Sequence, residues 1–243
     1  MSTGKQNLFT FGCSFTFGHG FPDCNDLSIH RSPSKYAWPS LLAKKLDLPL
    51  HNLASPGCSP FELGRRFLKH KHKISANDIV LIVWPYFDRT CVIVNSSIEG
   101  VVKFSPGFGV IDPGHEDLLP MDVEYWFKHY TNSQHQLEEF MFACKMIDTE
   151  CKQLGVNVLH SVFLDEYKQL VNHNIKDPEY SWFDVKLERN VFDFIQRKKP
   201  YLEKYFNTNF YDLPDGHRGS NHHKFWTESV YRKIVRRGWL NNT

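Results

Sequence analysis

Two short stretches, far apart in the chain, carry the residue types of nucleophilic catalysis. Leu8-Phe9-Thr10-Phe11 is an apolar run that predicts a buried strand, and it breaks at Gly12-Cys13-Ser14, a turn able to leave a serine hydroxyl at the strand's carboxyl edge. Asp215-Gly216-His217, near the other end, supplies a carboxylate and an imidazole. A serine hydroxyl is a weak nucleophile at neutral pH, and an oriented imidazole makes it a strong one. Histidine suits the task because its ordinary pKa, about 6.5, lies near working pH. The expected roles are attack on an ester carbonyl by Ser14, proton transfer through His217, and fixing of the imidazole tautomer by Asp215. Pro214 and Gly216 supply the turn that brings Asp215 and His217 together.

Neighbouring residues suggest other chemistries, which fit less well. Cys13 is a thiol beside the serine, but adjacent residues at a strand end point opposite ways, so it is expected in the core beside Cys58. His217, His222 and His223 with Asp215 match no structural zinc spacing, and no metal or other cofactor is expected. Lys69-His70-Lys71-His72-Lys73 reads as a solvated helix end favoured by the helix dipole.

The elements that would hold the serine follow from periodicity. Ser34 to Leu46 has helical spacing, Leu50 to Leu53 reads as a short strand, and Ser59-Pro60-Phe61-Glu62 is a capping box that starts a helix. Ile79 to Trp84 is a continuous apolar run of the kind a strand covered on both faces shows. Leu137, Phe140, Met141, Cys144, Ile147, Cys151 and Leu154 recur at three- and four-residue steps, predicting a long helix over 134–154 that stops at Gly155. Val156 to Leu164 reads as another buried strand, and 221–236 as the final helix. Strands alternating with helices predict a parallel α/β sheet in one domain spanning 1–243. Two segments break the rhythm, about 91–131 and 165–212, and are expected to be loop or lid insertions. Insertions after strands commonly build the pocket, because ligands bind beyond the strands' carboxyl ends.

Composition bounds the function. Of the 243 residues, 41% are hydrophobic and 23% charged, which suits a globular protein with a real core. A formal charge of +2 argues against a dedicated nucleic-acid binder. No apolar stretch approaches a membrane span, and no signal-peptide pattern stands at the beginning, so a reducing, cytoplasmic setting is expected. The aromatic share is high, at 15%. Trp84, Tyr86 and Phe87, at the end of a central strand, are expected to line the substrate site.

Together these residues resemble the GDSL/SGNH-type hydrolases. Phe11-Gly12-Cys13-Ser14-Phe15-Thr16 is similar to the family's first block, with cysteine where aspartate usually sits. Asn52-Leu53-Ala54-Ser55-Pro56-Gly57-Cys58-Ser59 resembles the second, and Asp215-Gly216-His217 the closing block. The resemblance implies a three-layer, flavodoxin-like fold with helices on both faces of a parallel sheet. It implies esterase, lipase or carbohydrate-deacetylase chemistry, with the backbone N–H groups of Ser14 and Gly57 in the oxyanion hole.

The third block departs from the pattern. The family's Gly-X-Asn, whose asparagine is another oxyanion donor, is replaced by Trp84-Pro85-Tyr86-Phe87-Asp88-Arg89. Losing one such donor typically lowers turnover by about 10²–10³, so Arg89 or the indole N–H of Trp84 is expected to stand in. The closing block also has one residue, where two are usual, between aspartate and histidine. The reading is an esterase acting on a small-molecule or carbohydrate ester, an O-acetyl group being the first choice. The rivals are an O-acyltransferase using the same triad and a non-catalytic glycan- or protein-binding module on the same fold.

Overall fold

A computed structural model of the chain describes residues 5–24, 32–87, 89–94, 100–105, 109–110, 133–162, 165–188 and 219–240. Its centre is a five-stranded parallel sheet in the order β2-β1-β3-β7-β8. The strands are β1 (Leu8–Gly12), β2 (Leu50–Asn52), β3 (Ile79–Trp84), β7 (Asn157–Val162) and β8 (Leu187–Glu188). Register runs Gly12 beside Val83 and Trp84 beside Val162, so β1 and β3 end at neighbouring positions.

Alternation along the strands divides the core in two. Phe9 and Phe11 of β1 and Val80, Ile82 and Trp84 of β3 face one layer, which holds α3 (Pro60–His70) and α4 (Ser133–Leu154). Leu8, Ile79, Leu81 and Val83 face the other, which holds α2 (Trp38–Leu46) and α6 (Ser220–Arg236). A strand buried on both faces is apolar at nearly every position, and β1 and β3 are buried throughout, with Thr10 the one hydroxyl residue between them. This is the three-layer, flavodoxin-like arrangement expected from the sequence.

The helices begin and stop for local reasons. The Ser59 side chain accepts a hydrogen bond from the Glu62 N–H at 3.2 Å, with Pro60 in the first turn, as the capping box requires. In α4, Leu137, Phe140, Met141, Cys144, Ile147 and Cys151 are all buried, and the helix ends before Gly155. Burial raises the thiols of Cys144 and Cys151, the latter to about 12, so both behave as small hydrophobes. α2 starts at Trp38, four residues later than the spacing predicts. Ser34 is held outside the helix by donating to Asp23 at 2.7 Å and accepting from the Tyr36 N–H. Ala37 is extended as the N-cap, and Pro39 suits the first turn, where its missing N–H would have no intrahelical partner.

The two expected insertions differ from one another. Within 91–131, β4 (Thr90–Val94), β5 (Gly100–Ser105) and β6 (Gly109–Val110) form a separate antiparallel sheet. The other is not an insertion at its start. Residues 165–188 contribute α5 (Asp165–Asn174) and β8, which pairs with β7 as the fifth strand of the main sheet. A two-residue strand is too short to register as a periodicity, and Val185 and Leu187 are buried although the flanking sequence is polar. The rest of 165–212 lies outside the described residues. Among the described residues no helix is long and apolar enough to cross a membrane.

Candidate active site

The chain leaves β1 toward β2 on one side and returns through α3 to β3 on the other, so the crevice between the ends of β1 and β3 is the sheet's topological switch point. Ser14 stands there as the first residue of α1 (Ser14–Phe17), one position past Cys13, whose φ of −103° and ψ of −149° make the corner. Gly12 makes that corner possible. A Cβ at this position would lie 2.2 Å from Thr16 Oγ1 and 3.0 Å from the Val83 carbonyl, so α1 folds back against the strand only over a glycine. Ser14 is half-buried, while Cys13 is 4% exposed and shares a core cluster with Cys58. The Ser14 hydroxyl has the Cys13 sulfur 3.9 Å away. As the first residue of a helix, Ser14 has no carbonyl one turn back for its own N–H.

The second block is stitched to this turn. The Gly12 carbonyl accepts from the Ser55 N–H at 2.9 Å and from the Cys58 thiol at 3.2 Å. Asn52 donates from Nδ2 to the Thr16 carbonyl at 2.9 Å and accepts from the Ala54 N–H at 3.1 Å. Its amide therefore clamps the end of β2 to α1. Gly57, at φ 71°, sits in the left-handed region that glycine enters without strain. Asn52 was legible as part of a motif, but its clamping role was not, because its partner is 36 residues away.

At the end of β3 the sequence-predicted residues separate into different roles. Trp84 is wholly buried, with its indole N–H donated to His160 Nδ1 at 3.1 Å and Phe140 packed edge-on at 5.3 Å. Its N–H is committed within the core. That corrects the expectation that it lines the substrate site or replaces the missing asparagine. His160 gave no signal beyond being a histidine in an apolar strand. Its other nitrogen lies 3.7 Å from Asp148, and burial pulls its pKa down to about 4 despite that carboxylate. Tyr86 and Phe87 are half-buried beyond the strand end, and Tyr86 packs against both core layers. Arg89 is 9% exposed, with its guanidinium 4.7 Å above the Tyr86 ring. Its Nε and Nη1 are buried and meet no hydrogen-bond acceptor.

Asp215, Gly216 and His217 lie outside the described residues. The helix that begins just after them, α6, is anchored beside Ser14. His223 in its first turns accepts the Trp38 N–H on Nδ1 at 2.9 Å and packs its ring 4.4 Å from Phe15, the residue after Ser14. Thr227 adds a hydrogen bond to the Trp38 carbonyl at 3.3 Å. His223 is thereby a buried structural histidine that holds the start of α6 over α1. The arrangement offers a half-buried hydroxyl, an adjacent helix-start N–H, a glycine turn tied to the Gly12 carbonyl, and a buried guanidinium in the turn that follows the neighbouring strand.

No family model matches the chain, and no curated protein matches it in sequence. Solved structures do match its fold. An acetyl xylan esterase (Est2A) from the rumen bacterium Butyrivibrio proteoclasticus aligns over 99% of this chain and 66% of its own, with a TM-score of 0.54 at 11% identity. The chain thus spans just under two thirds of that esterase's length. A family two carbohydrate esterase from Clostridium thermocellum, in complex with cellohexaose, aligns over 98% of this chain and 67% of its own, with a TM-score of 0.52 at 13% identity. A member of the lipolytic protein G-D-S-L family from Veillonella parvula covers 95% of this chain and 99% of its own, with a TM-score of 0.50 at 11% identity. The fold is therefore of the SGNH type.

Proposed function

We propose that this chain is a serine esterase that removes an acyl group, acetyl first among them, from a carbohydrate. Ser14 Oγ attacks the ester carbonyl carbon while His217 takes the hydroxyl proton. The tetrahedral intermediate collapses as His217 returns that proton to the leaving sugar oxygen, leaving Ser14 acylated. Water, deprotonated by His217, then attacks the acyl-serine and releases the carboxylic acid and the free serine. Asp215 holds the imidazole in the required tautomer and stabilises the imidazolium. The Ser14 and Gly57 N–H groups face the developing oxyanion. Because Trp84 is committed to His160, Arg89 is left as the side-chain donor on the β3 side.

The observation that carries this reading is the joining of Ser14 to the second block through one carbonyl, that of Gly12, at the switch point of the sheet. The first turns of α6, which follow His217 closely in sequence, pack on Phe15 and support the third member's proximity. The carbohydrate part of the reading is supported by the fold's likeness to the two carbohydrate esterases and by Tyr86 and Phe87 at the strand end. Thiols such as Cys144 and Cys151, unpaired and buried, suit a reducing, cytoplasmic compartment.

The test is acetate release from acetylated xylo- and cello-oligosaccharides. Wild type should release acetate, and Ser14→Ala should fall to the uncatalysed background. Acetate release that is equal in the two proteins removes Ser14 from the mechanism. Adding unacetylated oligosaccharide in excess and looking for acetyl groups on it distinguishes hydrolysis from transfer.

A further inference from the structure

An arginine is ionised at any pH a protein meets, and burying its charge without an anion or acceptor is costly. Arg89 is in that position. It is more than nine-tenths buried, its Nε and Nη1 meet no acceptor, and among the described residues no carboxylate pairs with it. The Tyr86 ring, 4.7 Å from Cζ, packs against the guanidinium but satisfies none of its N–H groups. The Arg89 N–H is itself held by the Tyr86 carbonyl at 3.3 Å, so the turn carrying it is closed. This turn follows β3 at the switch point, where a ligand of an open parallel sheet binds.

We infer that Arg89 is a specificity-determining residue that binds a carboxylate carried by the substrate, on either the acyl or the alcohol side of the scissile ester. This rests on the esterase reading for the identity of the ester, but not for the binding of the carboxylate. An oxyanion exists only in the transition state, whereas the unmatched charge of Arg89 is present in the resting protein. A ligand that is already anionic before reaction matches it. A carboxylate is the natural partner, being a planar monoanion with two acceptor oxygens for a planar, singly charged donor. The neighbouring Tyr86 and Phe87 would then lie against the body of the same substrate.

The experiment has a binding arm and a kinetic arm. Ser14→Ala protein is titrated calorimetrically with glucuronate against glucose, and with succinate against its neutral diamide. At least one acid should bind tenfold or more tightly than its neutral partner. Arg89→Gln in the same background should remove that preference, and Arg89→Lys should restore part of it. Equal affinities for acid and neutral forms, or a preference that survives Arg89→Gln, overturn the proposal.

In the kinetic arm, nitrophenyl succinate is compared with nitrophenyl acetate, and acetylated glucuronate with acetylated glucose. The pair on which Arg89→Gln acts selectively locates the carboxylate on the acyl or the alcohol side. The expected loss in kcat/KM is at least tenfold greater for the charged member, and that excess falls on KM. An equal loss in kcat on charged and neutral esters makes Arg89 an oxyanion donor only and overturns the proposal. If no ester is turned over while the acid preference persists, the esterase reading fails and the carboxylate site stands.

Discussion

Trp84 donates its indole N–H to Nδ1 of His160, 3.1 Å away, linking the last residue of β3 to the middle of β7 inside the core. The bond requires a neutral imidazole with Nδ1 free to accept, and burial enforces that state by lowering the His160 pKa to about 4. In the unfolded chain the same group titrates near 6.5. A histidine depressed on folding contributes stability that is complete above its unfolded value and lost as pH falls toward the folded one. His160 alone should therefore remove about 2 to 3 kcal/mol between pH 7 and pH 4.5. Urea midpoints at the two pH values measure this loss. His160→Gln should be less stable at pH 7 yet lose distinctly less on acidification than wild type. Parallel pH dependence in the two proteins would mean that the imidazole does not carry the effect.

Gly12 tests the corner that presents the nucleophile. A methyl group there meets Thr16 Oγ1 at 2.2 Å, Thr16 Cβ at 2.7 Å and the Val83 carbonyl at 3.0 Å. The hydroxyl can rotate away, but the Cβ and the carbonyl cannot withdraw without moving α1 or β3. Gly12→Ala should cost roughly 1–3 kcal/mol by overpacking and reduce Ser14 reactivity by more than that loss of folded protein explains. Thermal melts and acetate release at a temperature where the variant remains folded check both parts. An unchanged melting temperature would show that α1 adjusts freely.

Asn52→Ala removes the clamp between β2 and α1 without touching Ser14. Two hydrogen bonds disappear, to the Thr16 carbonyl and from the Ala54 N–H, for a loss of about 1–2 kcal/mol. Because the Ser14 and Gly57 N–H groups lose their fixed relation, kcat should fall about tenfold or more with little change in KM. A variant that is less stable but fully active would show that the clamp is structural only.

How far the sequence reveals this architecture depends on where each determinant lies. β1, β3 and α4 were legible because a buried face imposes a repeating pattern over five or more residues, and α3 because its cap is local to Ser59 through Glu62. β8 was not, since two residues show no period, and the late start of α2 depends on Asp23, eleven residues before Ser34. The same holds at the site. The turns at Gly12 to Ser14 and at Gly57 are dictated by their own residues. The fate of Trp84 is decided by His160, 76 residues further on, which no local pattern reports.

The proposed mechanism requires Ser14 to be the activated hydroxyl, and covalent trapping is the sharpest check on it. A fluorophosphonate is incubated with wild type, Ser14→Ala, Cys13→Ser and His217→Ala, and the modified peptide is located by mass spectrometry. Adduct on Ser14 in wild type and in Cys13→Ser, none in Ser14→Ala, and labelling slowed at least a hundredfold in His217→Ala is the predicted pattern. No adduct on wild type under conditions that label a known esterase, or an adduct that persists in Ser14→Ala, would contradict it.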